Sequence, residues 1–292
     1  MIENGAAHSQ ADSVATLDQP GLGAPNPLAL ARAAALAEGS PLDAAQWERL
    51  ARYRDLLLAW NGRFNLTAIT DPIEVERRLF LDSLRLLPAI DRLTAGQAEP
   101  RLIDIGSGGG FPGLALKIAR PALQVTLVDA TGKKVRFLEQ AIAALGLTGA
   151  RALQARAEDL GRDAAFRDAF DLVTARAVAP LPVLLEYATP LLRIGGSGLF
   201  PKGRDLAAEL AAGEDAARLI GARIESAELL PGGETRLVET RKHAPTPANY
   251  PRRTGLPTQA PLGGTDANRA TGGRRIRRRE GPAAQPSPSE RA

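Results

Sequence analysis

An apolar run that ends in a glycine-rich loop is the feature that most limits the possible folds of this chain. Residues Leu102–Ile105 form a short β-like run, and the loop Gly106–Gly110, with the sequence GSGGG, follows it directly. A helical pattern then continues through Ala119, and the next β-like run, Val125–Val128, ends at Asp129. This order of strand, glycine loop, helix and strand predicts a parallel sheet with the loop at its carboxyl edge.

The same alternation continues along the chain. Five further strands are expected at Ala152–Gln154, Phe170–Thr174, Ser197–Phe200, Arg223–Leu229 and Arg236–Thr240. The last two lie close together across a Pro-Gly-Gly sequence, which favours an antiparallel hairpin at the edge of the sheet. The pattern therefore predicts an α/β fold built on a mostly parallel, seven-stranded sheet.

The segments that flank the sheet differ from it in composition. Asp43 and Gln46 have the spacing of a capping box, and a helical pattern runs from them to Gly62. A second helix is expected from Asp71 to about Pro88. The expected organisation is a disordered extension over 1–40, a helical segment over 41–98, the sheet domain over 99–243, a Pro-rich and basic segment over 244–262, and a disordered Arg-rich tail over 263–292.

Composition excludes several classes of function. The chain has no cysteine and only two histidines, so a disulfide framework, a Cys-ligated metal site and a thiolate nucleophile are excluded, and we expect no metal. It has no apolar run long enough to span a membrane, and its N-terminus lacks the pattern of a secretory signal. These features predict a cytoplasmic protein, and without a surplus apolar stripe we expect a monomer.

The basic residues are concentrated near the C-terminus. The net charge is +4, but the cluster Arg274–Arg279 and its neighbours carry the excess, so the charge does not predict a basic groove on the body. A basic arm suits an anionic partner such as RNA, and we expect its deletion to make the salt dependence of RNA affinity shallower. A solvated tail without a partner is the alternative.

The glycine loop and two acids predict a nucleotide cofactor. Asp104 lies two residues before Gly106, and Asp129, at the end of the second strand, is placed to accept hydrogen bonds from ribose hydroxyls. The acid before the loop is usual for S-adenosylmethionine sites. The spacing of Gly108, Gly110 and Gly113 also satisfies the dinucleotide pattern, so an NAD-dependent oxidoreductase stays the alternative, although neither histidine is well placed for hydride transfer.

The residues at the end of the fourth strand limit the kind of atom that could accept a methyl group. Residues Thr174–Ala177 lack the Asn/Asp-Pro-Pro-aromatic clamp of amino-group methyltransferases, which leaves an acceptor such as a guanine ring nitrogen. Arg176 is placed to hold a phosphate or a guanine edge. The aromatic content of 4% predicts no obvious stacking platform for a base. A further alternative is a protein that binds nucleic acid or assists assembly without catalysing a reaction, and the intact glycine loop disfavours this alternative.

Several blocks of residues together resemble one known family, the RsmG family, also called glucose-inhibited division protein B. The matching blocks are Trp60 and Asn61 with Asn65, Leu66 and Thr67; Leu81, Asp82 and Ser83; Asp104–Gly113; Asp129 with Gly132–Leu138; Arg176 and Ala177; Lys202 and Gly203; and Gly233 and Glu234. Two positions depart from the family pattern: Leu79 stands where many members have His, and Thr235 stands where many have Arg. Either change would alter local RNA contacts.

The resemblance implies a Rossmann-like class I S-adenosylmethionine-dependent methyltransferase with an N-terminal helical extension. Its members methylate N7 of a guanine in small-subunit (16S) ribosomal RNA, so the expected partner is that RNA or an assembling 30S particle. The cofactor contacts would fall on Gly106, Gly108, Phe111, Asp129, Ala157, Glu158 and Arg176. The RNA contacts would fall on Lys133, Lys134, Arg136, Arg176 and Lys202. No residue is expected to act as a catalytic base.

Overall fold

A seven-stranded sheet organises the structure, a computed structural model that describes residues 28–64, 66–232 and 234–263. The strands are β1 (Arg101–Ile105), β2 (Gln124–Asp129), β3 (Ala150–Gln154), β4 (Phe170–Ala175), β5 (Leu192–Gly203), β6 (Ala222–Leu229) and β7 (Thr235–Lys242). Their order is β3-β2-β1-β4-β5-β7-β6. Strands β1 to β5 are parallel, and β7 is antiparallel to both β5 and β6. The predicted fold class, with its hairpin at the sheet edge, is confirmed.

Helices precede the sheet and connect its strands. They are α1 (Ala29–Ala37), α2 (Ala44–Phe64), α3 (Pro72–Val75), α4 (Asp82–Leu84), α5 (Leu87–Leu93), α6 (Gly113–Ala119), α7 (Gly132–Ala144), α8 (Ala157–Leu160), α9 (Leu181–Ala188), α10 (Ala207–Ile220) and α11 (Leu256–Gln259). A π-helical turn, Glu76–Leu81, joins α3 to α4. None of the helices in the described ranges is long and apolar enough to cross a membrane.

The predicted capping box opens α2. The backbone N–H of Gln46 donates to Asp43 Oδ1, the backbone N–H of Asp43 donates to Gln46 Oε1, and both distances are 2.8 Å. Asp71 likewise caps α3 by accepting from the N–H groups of Ile73 and Glu74. The second predicted helix is not continuous, because the π-helical turn interrupts it and a new helix, α5, begins near its expected end.

Helix α1 corrects the prediction of disorder for residues 1–40. Leu28, Ala31 and Ala35 are buried, and the backbone N–H of Ala31 donates to Glu76 Oε1 at 2.8 Å. Small side chains let this helix pack closely on its neighbours. An alanine-rich composition gives only a weak contrast between apolar and polar faces, so the sequence pattern did not reveal the helix. Residues 1–27 lie outside the described residues.

The helical segment and the sheet share one hydrophobic core. A single cluster of buried side chains includes Leu50 and Leu57 of α2 together with Leu102 of β1, Leu127 of β2 and Leu199 of β5. The other face of the sheet is covered by a second cluster, which includes residues of α9 and α10. The expected boundary between residues 98 and 99 therefore separates two parts of the chain that fold onto the same core.

The segment after β7 packs back onto the body. Arg252 donates from Nε and Nη2 to the carboxylate of Glu186, a residue that is fully buried on α9. Arg167 donates to the carbonyl oxygens of Tyr250 and Thr246, at 2.8 and 2.7 Å. These contacts fasten the expected Pro-rich and basic segment beside α9. The Arg-rich tail, apart from Gly263, lies outside the described residues.

Candidate active site

The glycine loop bends sharply after β1 in a conformation that favours glycine. Gly106, Gly108 and Gly110 have φ angles of 67°, 57° and 94°. A Cβ atom on Gly106 would lie 2.6 Å from Cγ2 of Val178, and one on Gly110 would lie 2.5 Å from the hydroxyl of Tyr53. Glycine is therefore required at positions 106 and 110 both by backbone geometry and by close neighbours.

Asp104 stabilises the two ends of the loop. Its side chain is fully buried, where Oδ1 accepts from the Thr174 hydroxyl at 2.8 Å and Oδ2 accepts from the Gly113 N–H at 3.1 Å. Burial raises the pKa of Asp104 to about 6, although these hydrogen bonds act in the opposite direction. The acid that the sequence pattern singled out thus ties β1 to β4 and to the start of α6.

Asp129 lies at the end of β2, directly beside the loop. Its Oδ2 accepts from the Gly108 N–H at 3.0 Å, and its Oδ1 accepts from the Thr131 N–H at 2.8 Å. The ammonium of Lys134 is 3.6 Å from Oδ2. A carboxylate can accept about four hydrogen bonds, so these two backbone donors orient Asp129 and leave it able to accept from further hydroxyl groups.

Ser107 is a site residue that the sequence reasoning missed. Its backbone N–H donates to the carbonyl of Val128 at 2.9 Å, and its hydroxyl donates to the carbonyl of Asp104 at 2.9 Å. The Val128 N–H in turn donates to that hydroxyl at 3.2 Å. The serine therefore joins the ends of β1 and β2 around the loop, a role that only the pairing of the two strands reveals.

An aromatic cluster supports the loop from the side of the helical segment. Tyr53 on α2 stacks on Phe111, with ring centroids 5.0 Å apart, and Phe80 meets Phe111 edge to face at 5.0 Å. The Tyr53 hydroxyl donates to the carbonyl of Gly109. Phe111 is buried within this cluster. Its expected contact with the cofactor stays a prediction, whereas its packing against the helical segment is observed.

Arg176 lies at the end of β4, above the same cluster. Its Cζ atom is 5.6 Å from the centroid of the Phe111 ring, and its Nη1 donates to the carbonyl of Arg78 at 2.5 Å. Burial lowers the pKa of the Arg176 guanidinium, and the neighbouring carboxylates of Asp82 and Asp104 act in the opposite direction. The structure thus places Arg176 between the glycine loop and the π-helical turn.

Ala157 and Glu158 begin α8, after β3. Both residues are buried, and Glu158 Oε1 accepts from the Gly255 N–H at 3.0 Å. The Glu158 side chain therefore holds the C-terminal segment. The expected contact of these two residues with the cofactor stays a prediction.

The basic residues of α7 lie at the same edge of the sheet as the glycine loop. The helix begins at Gly132, just after Asp129, so Lys133, Lys134 and Arg136 occupy its first turns. Lys133 and Arg136 are exposed, whereas Lys134 is half-buried beside Asp129. This is the position expected for residues that face a substrate over the cofactor.

Lys202 makes contacts within the folded chain. Its ammonium donates to the carbonyl of Ala179 at 2.8 Å and lies 2.7 Å from Oε2 of Glu209. Glu209 also accepts from the Leu181 N–H at 2.8 Å. The lysine therefore joins β5 to the loop after β4, and its expected contact with RNA stays a prediction.

The chain has only two histidines and no cysteine among its possible metal-ligating side chains. Within the described ranges, no three metal-ligating side chains form a group. His243 directly follows β7, whose last residue, Lys242, pairs with the first residue of β6, so it lies at the edge of the sheet opposite to the glycine loop. His8 lies outside the described residues.

Comparison with known proteins decides the family. The family model for rRNA small subunit methyltransferase G (GidB) matches residues 46–238. The chain belongs to the rRNA small subunit methyltransferase G family. Family membership confirms the resemblance seen in the sequence, and it sets aside the oxidoreductase alternative.

Two relatives show how far the similarity extends. The rRNA small subunit methyltransferase G of Chloroflexus aggregans is 52% identical over 227 residues, which cover 77% of this chain and 93% of the relative. That of a Roseiflexus species is 50% identical over 231 residues, which cover 78% of this chain and 97% of the relative. A solved structure of a protein from Corynebacterium glutamicum is similar over 74% of this chain and 98% of its own, with 23% identity and a TM-score of 0.48.

The geometry of this methyltransferase family member fits S-adenosylmethionine. The backbone of Gly108 can be approached closely because a Cβ atom there would meet only the Gly106 carbonyl oxygen, at 3.9 Å, and the oriented carboxylate of Asp129 suits ribose hydroxyls. Both features lie at the carboxyl ends of β1 and β2, where open α/β sheets bind nucleotide ligands.

Proposed function

We propose that this chain transfers a methyl group from S-adenosylmethionine to N7 of a guanine in small-subunit (16S) ribosomal RNA. The observation that carries the proposal is the hydrogen bond from the Gly108 N–H to Asp129 Oδ2, because it joins the glycine loop to the ribose-binding acid. The similarity of the chain to rRNA small subunit methyltransferase G proteins over most of their length supports the choice of RNA.

The residues at this edge bind and orient, and none is needed as a base. When bound, S-adenosylmethionine supplies a methyl group on a sulfonium, and the N7 lone pair forms the new N–C bond while the S–C bond breaks toward sulfur. N7 of guanine carries no proton, so attack requires proximity and in-line orientation only. We assign cofactor binding to Gly106, Gly108, Phe111, Asp129, Ala157, Glu158 and Arg176.

The RNA is proposed to approach over the same edge. Lys133, Lys134 and Arg136 in the first turns of α7 supply positive charge next to Asp129, and Arg176 supplies a guanidinium beside the loop. Cations of this kind position a phosphate backbone without reading its sequence. We propose that the enzyme acts in the cytoplasm as a monomer, on free ribosomal RNA or on the assembling 30S particle.

Methyl transfer from labelled S-adenosylmethionine tests the proposal. Wild type is expected to place the label on small-subunit ribosomal RNA, free or in particles, as 7-methylguanine. Gly106→Asp is expected to abolish both transfer and S-adenosylmethionine binding, because its side chain would meet Val178. Gly96→Asp is the matched control, since Gly96 also has a positive φ, of 79°, but its Cβ would meet nothing within 4 Å.

The outcomes are distinct. Retention of both activities by Gly96→Asp, with loss in Gly106→Asp, would support the assigned site. Wild type that binds S-adenosylmethionine but labels neither RNA substrate would refute the proposed acceptor. Label recovered in a nucleoside other than 7-methylguanine would refute the proposed target atom.

A further inference from the structure

The last turn of α2 lies at the carboxyl edge of the sheet. At the start of this helix, the Gln46 side chain donates to the carbonyl of Ala119, the last residue of α6. Six residues later, Arg52 donates to the carbonyl of Ala144, the last residue of α7. Because α6 and α7 both begin at the carboxyl edge and end at the opposite one, α2 runs toward the glycine loop, and its final residues lie at the edge where the cofactor is proposed to bind.

Two aromatic rings occupy that last turn. The centroids of Trp60 and Phe64 are 5.0 Å apart, and Trp60 also packs against Phe137 of α7 at 5.6 Å. Phe137 is buried, Trp60 is half-buried, and Phe64 is 37% exposed. The Phe64 ring therefore packs on Trp60, which packs in turn on the buried Phe137, and Phe64 stays partly open to solvent.

Exposed cations lie on the two helices that carry these aromatic rings. Arg63 precedes Phe64 on α2 and is exposed. Lys133 and Arg136, also exposed, lie on the first turns of α7, the helix that carries Phe137. We call Trp60, Arg63, Phe64, Lys133 and Arg136 the aromatic–basic surface. It combines an exposed ring with cations that can contact phosphates, which is the chemistry of single-stranded nucleic-acid binding.

We propose that the aromatic–basic surface binds a single-stranded RNA segment that flanks the target guanine, with one base stacked on Phe64 and phosphates near Lys133 and Arg136. This inference rests on the proposed function for its choice of RNA. A single strand is required because base faces are hidden within a duplex, whereas unpaired bases can stack on aromatic side chains. The low aromatic content predicted no stacking platform, but the fold brings together aromatic residues from two helices.

Substitution of the exposed ring tests the stacking contact. The affinity of the full chain for a fluorescently labelled single-stranded RNA oligonucleotide is measured by anisotropy. Phe64→Leu keeps an apolar side chain but removes the aromatic face, and it is expected to weaken binding roughly 5- to 150-fold, the range for loss of one stacked base. Phe64→Trp restores a ring and is expected to keep near-wild-type affinity.

Phe166→Leu is the matched control for this substitution. Phe166 is also partly exposed, but it stacks on Phe170 near the beginning of β4, at the opposite edge of the sheet. Its substitution is expected to leave RNA affinity unchanged. Equal weakening by Phe64→Leu and Phe166→Leu, or no weakening by either, would overturn the proposal.

The salt dependence of binding tests the charged part of the surface separately. Lys133→Gln is expected to reduce the slope of log affinity against log salt by about 0.7, the value for one phosphate contact on a single strand. Phe64→Leu is expected to leave the slope unchanged, because stacking releases no counterion. Arg193→Gln removes a cation that pairs with Asp171 at the opposite edge and is expected to change neither slope nor affinity.

These measurements separate this inference from the proposed function. S-adenosylmethionine affinity is expected to be unaffected in every variant. If wild type makes 7-methylguanine but Phe64→Leu binds RNA as tightly as wild type does, the proposed RNA-binding surface is refuted and the proposed function stands. If wild type makes no 7-methylguanine but Phe64→Leu, unlike Phe166→Leu, binds RNA more weakly than wild type, the proposed function is refuted and the RNA-binding surface stands. Equal affinity for a duplex of the same sequence would refute the single-stranded ligand.

Discussion

Two carboxylates lie at the glycine loop, and their surroundings give them different tasks. Asp104 is fully buried, and its two oxygens accept hydrogen bonds from Thr174 and Gly113. Asp129 lies at the rim of the loop, and its backbone donors leave it able to accept more hydrogen bonds. An aspartate side chain therefore stabilises the loop at position 104, whereas at position 129 an aspartate is placed to bind a ligand.

Tyr53 connects this site to the helical segment through a single hydroxyl. Tyr53→Phe removes the donor to the Gly109 carbonyl but keeps the ring stacked on Phe111. Loss of one buried hydrogen bond is expected to lower the free energy of unfolding by about 1 kcal/mol. Because the unpaired carbonyl belongs to the glycine loop, we also expect weaker S-adenosylmethionine binding, measured by calorimetric titration.

Thr94→Val provides the comparison for Tyr53→Phe. The Thr94 hydroxyl donates to the carbonyl of Ile90 in α5 at 2.8 Å, a contact within the helical segment that involves no residue assigned to the site. This variant is expected to lose a similar amount of stability and to bind S-adenosylmethionine as wild type does. Equal cofactor affinity in both variants would contradict the role assigned to Tyr53.

At the scale of elements, the ion pair between Lys202 and Glu209 positions the loop between β4 and α9. Ala177 in this loop has a φ of 55°, and Val178 lies against Gly106. Lys202 holds the loop through the Ala179 carbonyl, and Glu209 supports it through Leu181. The strand ends, the loop and α10 are thus joined by side chains that are far apart in the sequence.

Lys202→Met is expected to separate this positioning role from RNA binding. The change keeps the length of the side chain but removes its charge, so the loop loses a hydrogen bond and an ion pair. We expect a lower free energy of unfolding and weaker S-adenosylmethionine binding, because Val178 packs on the glycine loop. The salt slope of RNA affinity is expected to equal that of wild type, and a slope reduced by about 0.7 would instead place a phosphate on Lys202.

Periodicity and turn residues were enough to predict the strands that hold the site. All seven predicted strands exist, and the GSGGG loop and Asp129 come together because carboxyl ends of parallel strands meet at one edge. The partners of Lys202 and Glu158 were not predictable, because their contacts to Glu209 and Gly255 depend on how distant segments pack. The same reason explains why the aromatic–basic surface was missed, whereas α1 was missed because its alanine-rich sequence gives little contrast between helix faces.

For the whole molecule, the shared core makes the helical segment part of the same cooperative unit as the sheet. The cluster that contains Leu50 and Leu57 of α2 also contains Leu102 and Leu127 of the sheet. The loop that is proposed to bind the cofactor lies between these parts, so its geometry depends on both. A helical segment that unfolded alone would remove Tyr53 from the site, together with Trp60 and Phe64 of the aromatic–basic surface.

Two spectroscopic probes can test this cooperativity. Both tryptophans, Trp47 and Trp60, lie on α2, so their fluorescence reports on the helical segment, whereas circular dichroism reports on all helices and strands. We expect urea unfolding followed by the two probes to give the same midpoint. Leu50→Ala is expected to lower the free energy of unfolding by about 2–5 kcal/mol and to shift both transitions together, since Leu50 is fully buried in the shared core. Leu36→Ala, at a side chain that is 70% exposed, is expected to shift neither. A fluorescence transition that moves without the dichroism transition would show that the helical segment folds independently of the sheet.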